Sequence, residues 1–219
     1  MSFILHLECA TKICSVALSK SGELIEYIDV QNEELKHNEL LTILIDQLIQ
    51  NQALHYSDIQ AVSLSSGPGS YTGLRIAVSV AKGLCYALQV PLISIETNLC
   101  LYYATKLKYP NHRILTMIDA RRMEVYSCMY ENDVIIKELS ADILDENSYI
   151  EFNQIPLIAV GDGIEKCKIL WKNRNIIFDD EIQLSAQFQT IVAWEKFKLS
   201  QFESVAYFEP LYLKEFFSK

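Results

Sequence analysis

The order of the predicted elements restricts this chain to few folds. Three short apolar strands are joined by connections too short for crossovers, which predicts an antiparallel meander over residues 3–8, 13–19 and 23–30. A second meander is predicted after the midpoint, over residues 113–118, 123–130 and 134–139. Because helices and further strands follow each meander, we expect an α/β protein with two similar halves, each a mixed β-sheet flanked by helices.

Between and after the meanders, the apolar spacing changes to that of helices. Leu40, Leu44 and Leu48 lie on one face of a helix predicted over residues 38–52, with Asn38 as its N-cap. The other predicted helices cover residues 74–88, 97–107, 164–171 and 185–199, and the other strands cover residues 59–65, 91–95 and 157–160.

Charge and cysteine usage exclude several classes of protein. The chain has 19 Lys+Arg against 28 Asp+Glu, a net charge of −9, which argues against wrapping a phosphate backbone alone but leaves room for a local basic patch. Its six cysteines are scattered and form no C-x-x-C pair, which favours reduced, buried thiols. No apolar stretch approaches the roughly 20 residues of a membrane span. We therefore expect a soluble cytoplasmic protein with no membrane partner.

A glycine-rich turn is the most informative local feature. Gly67, Gly69 and Gly73 lie between a predicted strand and a predicted helix, where free N–H groups at a helix N-terminus can bind an anion. The spacing matches neither a P-loop nor G-x-G-x-x-G. The alternative is a tight turn, with Ser70 or Thr72 capping the helix.

The string from Gly67 to Arg75, GPGSYTGLR, resembles the GPGSFTGLR signature of the TsaB (YeaZ) family of bacterial threonylcarbamoyladenosine biosynthesis proteins. Further motifs of the family follow in order along the chain, with Glu8 where the family has Asp and Lys214 where it has Arg. They are residues 4–18, His37, Pro91-Leu92 with Ser94 and Thr97, the IDARR string at 118–122 with Glu124-Val125-Tyr126, Gly161-Asp162-Gly163, and the PLYLK string at 210–214.

The resemblance implies the two-lobed actin/Hsp70/sugar-kinase (ASKHA) fold, with an N-terminal lobe over residues 1–107 and a C-terminal lobe over residues 108–219. It also implies a role in transferring threonylcarbamoyl to N6 of the adenosine that follows the anticodon in tRNA. In this family TsaB is the non-catalytic partner that binds and activates TsaD, with TsaE in the complex and tRNA bound through it. A homodimer without TsaD is a further expectation.

Catalytic and metal-binding residues are not predicted. The catalytic relative holds its metal with a His-x-x-x-His pair, whereas His37 is followed by Leu41, so the second ligand is missing. The other histidines lack ligand-spaced neighbours, and His6, in an apolar strand, is interpreted as a packed or edge residue. No cofactor is expected on the chain alone, although ATP or ADP could bind in the assembled complex.

A nucleotide or anion contact is a further hypothesis. In this fold class an acid at the first strand turn helps to place metal and phosphate, and Glu8 holds that position. The contact residues predicted are Glu8, Gly67, Gly69, Ser70, Thr72, Gly73, Gly161, Asp162 and Gly163. Gly161-Asp162-Gly163 is equally typical of a simple turn. For tRNA or a partner, the predicted contacts are Arg75, Arg121 and Arg122, with a solvated turn as the alternative for the last two.

The partner surface is predicted on the helices at 38–52 and 74–88. The second is apolar around most of its circumference, so it either covers a partner or is a central helix packed on both sides. The resemblance favours the partner, and the interface residues predicted are Ile43, Gln47, Ala77, Ala81 and Cys85. On this hypothesis Ala81→Arg abolishes pairing and leaves the fold intact.

Two functions from different classes follow. The first is the non-catalytic subunit that activates TsaD. The alternative is an independent phosphotransferase or ATPase of the ASKHA class, which would use Glu8 and the turn from Gly67 to Gly73. The turn lacks the Lys-Ser/Thr pair with which a P-loop binds phosphate, and this absence disfavours that alternative.

Overall fold

The computed structural model describes residues 2–31, 37–152 and 154–214, and within these it leaves the side chains of residues 37 and 38 undescribed. The roles predicted for the His37 side chain and for Asn38 as an N-cap lie outside the described side chains. The strands are β1 Phe3–Glu8, β2 Ile13–Lys20, β3 Glu23–Gln31, β4 Ile59–Gly67, β5 Leu92–Glu96, β6 Arg113–Asp119, β7 Glu124–Glu131, β8 Val134–Ile143, β9 Leu157–Val160 and β10 Ile176–Asp179. The helices are α1 His37–Asn51, α2 Tyr71–Leu88, α3 Thr97–Lys108, α4 Glu165–Lys168 and α5 Thr190–Lys198, with 3₁₀ turns at Tyr56–Asp58, Ile150–Phe152 and Ala186–Gln189.

The strands form two five-stranded sheets with the same topology. The first has the order β3-β2-β1-β4-β5 and the second the order β8-β7-β6-β9-β10. In each sheet the first three strands are antiparallel, and the two remaining strands run parallel to the first. The predicted duplication of a mixed sheet is therefore confirmed.

The chain divides into two compact units that are not contiguous in sequence. The first unit contains Met1–Thr97 and Ser185–Leu211, and the second contains Asn98–Leu184 and Tyr212–Lys219. This division differs from the predicted boundary between residues 107 and 108 in two ways. Almost all of α3 belongs to the second unit, and α5 returns to the first because it packs on β5, β1 and β3.

The first unit buries both faces of its sheet. On one face, α1 and α2 cover the apolar side chains of alternate strand residues, among them Leu5, Leu7 and Val62. The opposite face carries His6 and Ser63 and lies under the Ala186–Gln189 turn and α5. Because both faces are covered, β1, β2 and β4 are buried along almost their whole length, including most of the serines among their apolar residues.

The second unit has a core on each face of its sheet. One core contains Leu115, Met117, Val125 and Trp171, and the other contains Tyr102 and Ile158 together with their apolar neighbours. All six cysteines of the chain are free and buried, as predicted. None of the described helices combines the length and the apolar character needed to cross a membrane.

Candidate functional site

The glycine-rich turn after β4 packs closely against the turn between β1 and β2. A Cβ on Gly69 would lie 2.5 Å from the carbonyl oxygen of Ala10, and a Cβ on Gly73 would overlap the carbonyl oxygen of Cys9. On the other side, a Cβ on Gly67 would lie 2.8 Å from the carbonyl oxygen of Leu211. Only residues without a side chain fit there, so these glycines permit close packing of backbone on backbone.

Three N–H groups around the start of α2, those of Ser70, Gly73 and Leu74, are bound within the chain. Ser70 donates its amide to the carbonyl of Ala10 at 2.7 Å, and its hydroxyl accepts from the amide of Gly73 at 3.2 Å. The amide of Leu74 bonds the carbonyl of Ser70 at 2.9 Å. The contacts observed at Gly67, Gly69, Ser70 and Gly73 are those of packing and capping, and the anion contact at these residues stays a prediction. The exposed Thr72 keeps its contact as a prediction.

Glu8, predicted to face a nucleotide, is fully buried at the end of β1. Its Oε1 accepts from the amide of Ala10 at 2.7 Å, and its Oε2 accepts from the hydroxyl of Ser65 and, at 3.5 Å, from the amide nitrogen of Gln189. Burial raises the pKa of Glu8 to about 7, although these hydrogen bonds oppose the shift. The carboxyl group is enclosed by protein donors, which corrects the predicted contact with a nucleotide.

A buried polar network extends from Glu8 across the sheet. His6 bonds Ser63 through Nδ1 at 2.6 Å and Ser19 through Nε2 at 2.7 Å. Ser63 in turn donates to Oε1 of Gln189 at 2.7 Å. Burial lowers the pKa of His6 to about 3, so its imidazole is neutral, and its interpretation as a packed residue is confirmed.

Gln189 completes this network, and sequence reasoning missed it. Its side-chain amide donates to the carbonyl of Leu7 at 2.8 Å, 182 residues away in the chain. It lies at the end of a 3₁₀ turn capped by Ser185, in a segment where the sequence shows only helical apolar spacing. No local signal marks a contact over that distance.

The second unit contains a similar glycine turn that packs closely against a backbone carbonyl. Gly161 has a φ of +100°, and a Cβ there would overlap the carbonyl oxygen of Met117 at the end of β6. The amide of Gly163 donates to the same carbonyl at 3.0 Å, and Asp162 accepts from the amide of Asp119 at 2.8 Å. These contacts pack one turn against another. Gly163 is buried, whereas Asp162 is exposed, and the nucleotide contact predicted at Gly161, Asp162 and Gly163 stays a prediction.

The arginines predicted to contact tRNA or a partner are exposed. Arg121 and Arg122 lie in the turn between β6 and β7, and Arg75 lies on α2 with its guanidinium 4.2 Å from the centre of the Tyr71 ring. In the part of the chain that the structure describes, no three His, Cys, Asp or Glu side chains come together as metal ligands would.

The partner surface predicted on α1 and α2 needs a correction. Ile43 is 59% exposed and Gln47 is exposed, as an interface requires, but Ala77, Ala81 and Cys85 are at most 2% exposed and belong to the core. The outer face of α2 carries other residues. It contains a groove of about 420 Å³ lined by Tyr71, Thr72, Arg75, Ile76, Ser79 and Val80.

The comparisons with known proteins agree with this architecture. The model of the family TsaD, tRNA N6-adenosine threonylcarbamoyltransferase, matches residues 31–196. The tRNA threonylcarbamoyladenosine biosynthesis protein TsaB of Escherichia coli K12 is 28% identical over 219 residues, which cover 96% of this chain and 94% of that protein. The tRNA N6-adenosine threonylcarbamoyltransferase of Bacillus subtilis is 34% identical over 71 residues, 32% of this chain and 20% of that protein.

A solved structure from Pseudomonas aeruginosa, described as an uncharacterized protein with similarity to peptidase YeaZ, superposes with a TM-score of 0.84. It is 24% identical, and the match covers 98% of this chain and 100% of that one. The likeness shows that the chain has the fold of that structure, and the two mixed sheets flanked by helices agree with the predicted α/β class. Together, the family match over most of the chain and the full-length similarity to TsaB show that the chain belongs to the TsaB (YeaZ) family.

Proposed function

We propose that this chain is a non-catalytic subunit of tRNA threonylcarbamoyladenosine biosynthesis, which binds TsaD and activates its transfer of threonylcarbamoyl to tRNA. The names of its curated relatives support the pathway. The division of labour between the two subunits rests on the geometry of the first unit.

The enclosure of Glu8 is the observation that carries this proposal. An ASKHA enzyme that transfers phosphate needs an open carboxylate at the first strand turn to help position metal and nucleotide. Here that carboxyl accepts hydrogen bonds from Ala10, Ser65 and Gln189, and it is completely shielded from solvent. The arrangement disfavours an independent phosphotransferase or ATPase and favours a subunit that acts through binding.

The outer face of α2, together with the exposed Ile43 on α1, is the surface we assign to TsaD. The groove combines the aromatic ring of Tyr71, the half-buried Ile76 and Val80, and the guanidinium of Arg75, a mixture typical of protein interfaces. Because this chain and TsaD share local sequence similarity, a face-to-face pairing of equivalent helices is the simplest geometry for the complex.

The test is to mix the purified chain with TsaD of the same organism and to measure complex formation. Transfer of threonylcarbamoyl to tRNA is followed in the same mixture, with TsaE, a source of threonylcarbamoyl adenylate and ATP supplied. We expect TsaD to be active only with the chain present, and the chain alone to be inert. Equal TsaD activity without the chain would overturn the proposal.

A matched pair of variants locates the surface. Ile43→Arg places a charge on the proposed face, and Ile191→Arg places one on α5, where the isoleucine is similarly exposed, 54% against 59%. The two helices cover opposite faces of the first sheet. We expect Ile43→Arg to weaken TsaD binding at least about tenfold and Ile191→Arg to leave it unchanged. Equal effects would contradict this placement.

A further inference from the structure

The turn between β6 and β7 is built from an unfavourable pair of residues. Arg121 and Arg122 have φ values of +66° and +50°, in the left-handed region that side chains rarely adopt. Asn and Gly are the residues that adopt a positive φ with the least strain. Two arginines weaken the turn, so their presence calls for a role of the side chains themselves.

The arginine side chains do not hold this turn in place. Asp119 accepts the amide of Arg121 at 2.5 Å, and Lys166 bonds both the carboxylate of Asp119 and the carbonyl of Glu124 at 2.6 Å. The amide of Glu124 closes the turn by donating to the carbonyl of Arg121 at 3.1 Å. The backbone is therefore fixed by Asp119 and Lys166, and the guanidinium groups take no part.

The two arginines are also the unneutralised cations at this turn. Lys166 pairs with Asp119, and Lys214 pairs with Glu124. Arg121 and Arg122 are exposed, and neither side chain has an ion pair or hydrogen bond among the described residues. On a chain whose net charge is −9, this turn exposes two consecutive arginines whose charges are not neutralised within the described residues.

We propose that Arg121 and Arg122 bind the phosphate backbone of RNA, which under the proposed function is the tRNA that TsaD modifies. The planar guanidinium fork matches phosphate oxygens, and a turn held rigid by other residues loses little freedom on binding. Two adjacent cations without a cluster of apolar side chains around them fit a polyanion better than they fit the apolar centre of a protein interface. Between Ala120 and Glu124, the exposed apolar side chain is that of Met123.

The variant Arg121→Asn/Arg122→Gly separates RNA binding from folding. It removes both charges and installs the pair that this backbone favours, so we expect its midpoint of urea unfolding to stay the same or rise. Binding of a fluorescein-labelled, unmodified tRNA transcript is measured by anisotropy at several salt concentrations, with the chain alone and with the chain in complex with TsaD. Affinity should fall roughly tenfold at low salt, and the salt slope of log K should become shallower by about 2.

Two single-charge variants calibrate the effect. Arg122→Gly should lose about half of the logarithmic change in affinity and reduce the salt slope by about 1. Lys172→Gln removes an exposed charge from the loop before β10, at the end of the second sheet opposite to the β6–β7 turn. We expect this control to bind tRNA as the unmodified chain does.

Several results would overturn the proposal. One is a double variant that binds tRNA as tightly as the original chain, both alone and in complex with TsaD. A second is a Lys172→Gln variant that loses as much tRNA affinity as Arg122→Gly. Another is weakened TsaD binding with unaltered tRNA affinity, which would assign the turn to an acidic protein surface. TsaD binding is also measured in the same samples without tRNA. If the chain does not bind TsaD, the result counts against the proposed function. The measurement of tRNA binding by the chain alone still tests the two arginines.

Discussion

The backbone amide of Ser70 donates a hydrogen bond of 2.7 Å to the carbonyl oxygen of Ala10, and so ties the first turn of α2 to the turn between β1 and β2. The second unit contains the equivalent bond, from Gly163 to the carbonyl of Met117 at 3.0 Å. In both units a glycine-containing turn after the fourth strand thus anchors the end of the first. These bonds link strands that are distant in sequence.

Two glycines of the first unit, Gly69 and Gly83, should respond in opposite ways to substitution by alanine. Gly69→Ala brings a Cβ to 2.5 Å from the carbonyl oxygen of Ala10, so the free energy of unfolding should fall by about 1–3 kcal/mol. Gly83 lies in α2, where an added Cβ would meet no other atom within 4 Å, and Gly83→Ala should raise the free energy of unfolding by about 0.5–1 kcal/mol.

Urea denaturation of both variants at neutral pH measures these changes, with an unchanged m-value as the control for two-state unfolding. If Gly69→Ala were as stable as the original chain, the turn would have room that the structure does not show. The anion contact would then gain support.

The local signals in the sequence predicted the elements well and the contacts between them poorly. β1 was predicted with its observed bounds because its apolar run ends at Glu8. α2 begins at Tyr71, three residues before the prediction, because Ser70 caps it. β10 was missed because four residues are too few to show a period.

Burial was the hardest property to predict. Ala77, Ala81 and Cys85 suit a helix interface because they are small, but the same property suits a helix packed on β4. Glu8 resembles a catalytic acid until Gln189 is placed beside it, and that contact spans 181 residues. Long-range contacts of this kind depend on topology, which a single sequence does not encode locally.

The buried pair of Glu8 and His6 predicts an unusual dependence of stability on pH. Glu8 has a pKa of about 7 in the fold against 4.5 unfolded, so its stabilising contribution is complete below pH 4.5 and is lost as the pH rises through 7. His6 has a pKa of about 3 in the fold against 6.5 unfolded, so it destabilises the fold as the pH falls below 6.5. Between pH 4.5 and 6.5 the two effects oppose each other.

Single variants should separate the pH dependence of stability that is due to His6 from that due to Glu8. In Glu8→Gln the histidine acts alone, and between pH 6.5 and 4.5 its free energy of unfolding should fall relative to the original chain by about 1.4 kcal/mol per pH unit. In His6→Gln the carboxyl acts alone, and stability should instead fall as the pH rises from 4.5 through 7. Urea unfolding across this range checks both slopes, and curves parallel to that of the original chain would contradict the assignment.

The face of α2 that we assign to TsaD can be separated from the face that holds the fold by two arginine substitutions two residues apart. Ala81 is fully buried, so Ala81→Arg should lower the free energy of unfolding by about 3 kcal/mol or more, contrary to the expectation from sequence that the fold stays intact. Ser79 is exposed and lines the groove, so Ser79→Arg should leave stability within about 0.5 kcal/mol and weaken TsaD binding. Thermal unfolding and co-purification with TsaD measure the two effects. A stable Ala81→Arg variant that fails to bind TsaD would return Ala81 to the interface. It would show that the face of α2 that carries Ala81 contacts TsaD and is not packed in the core.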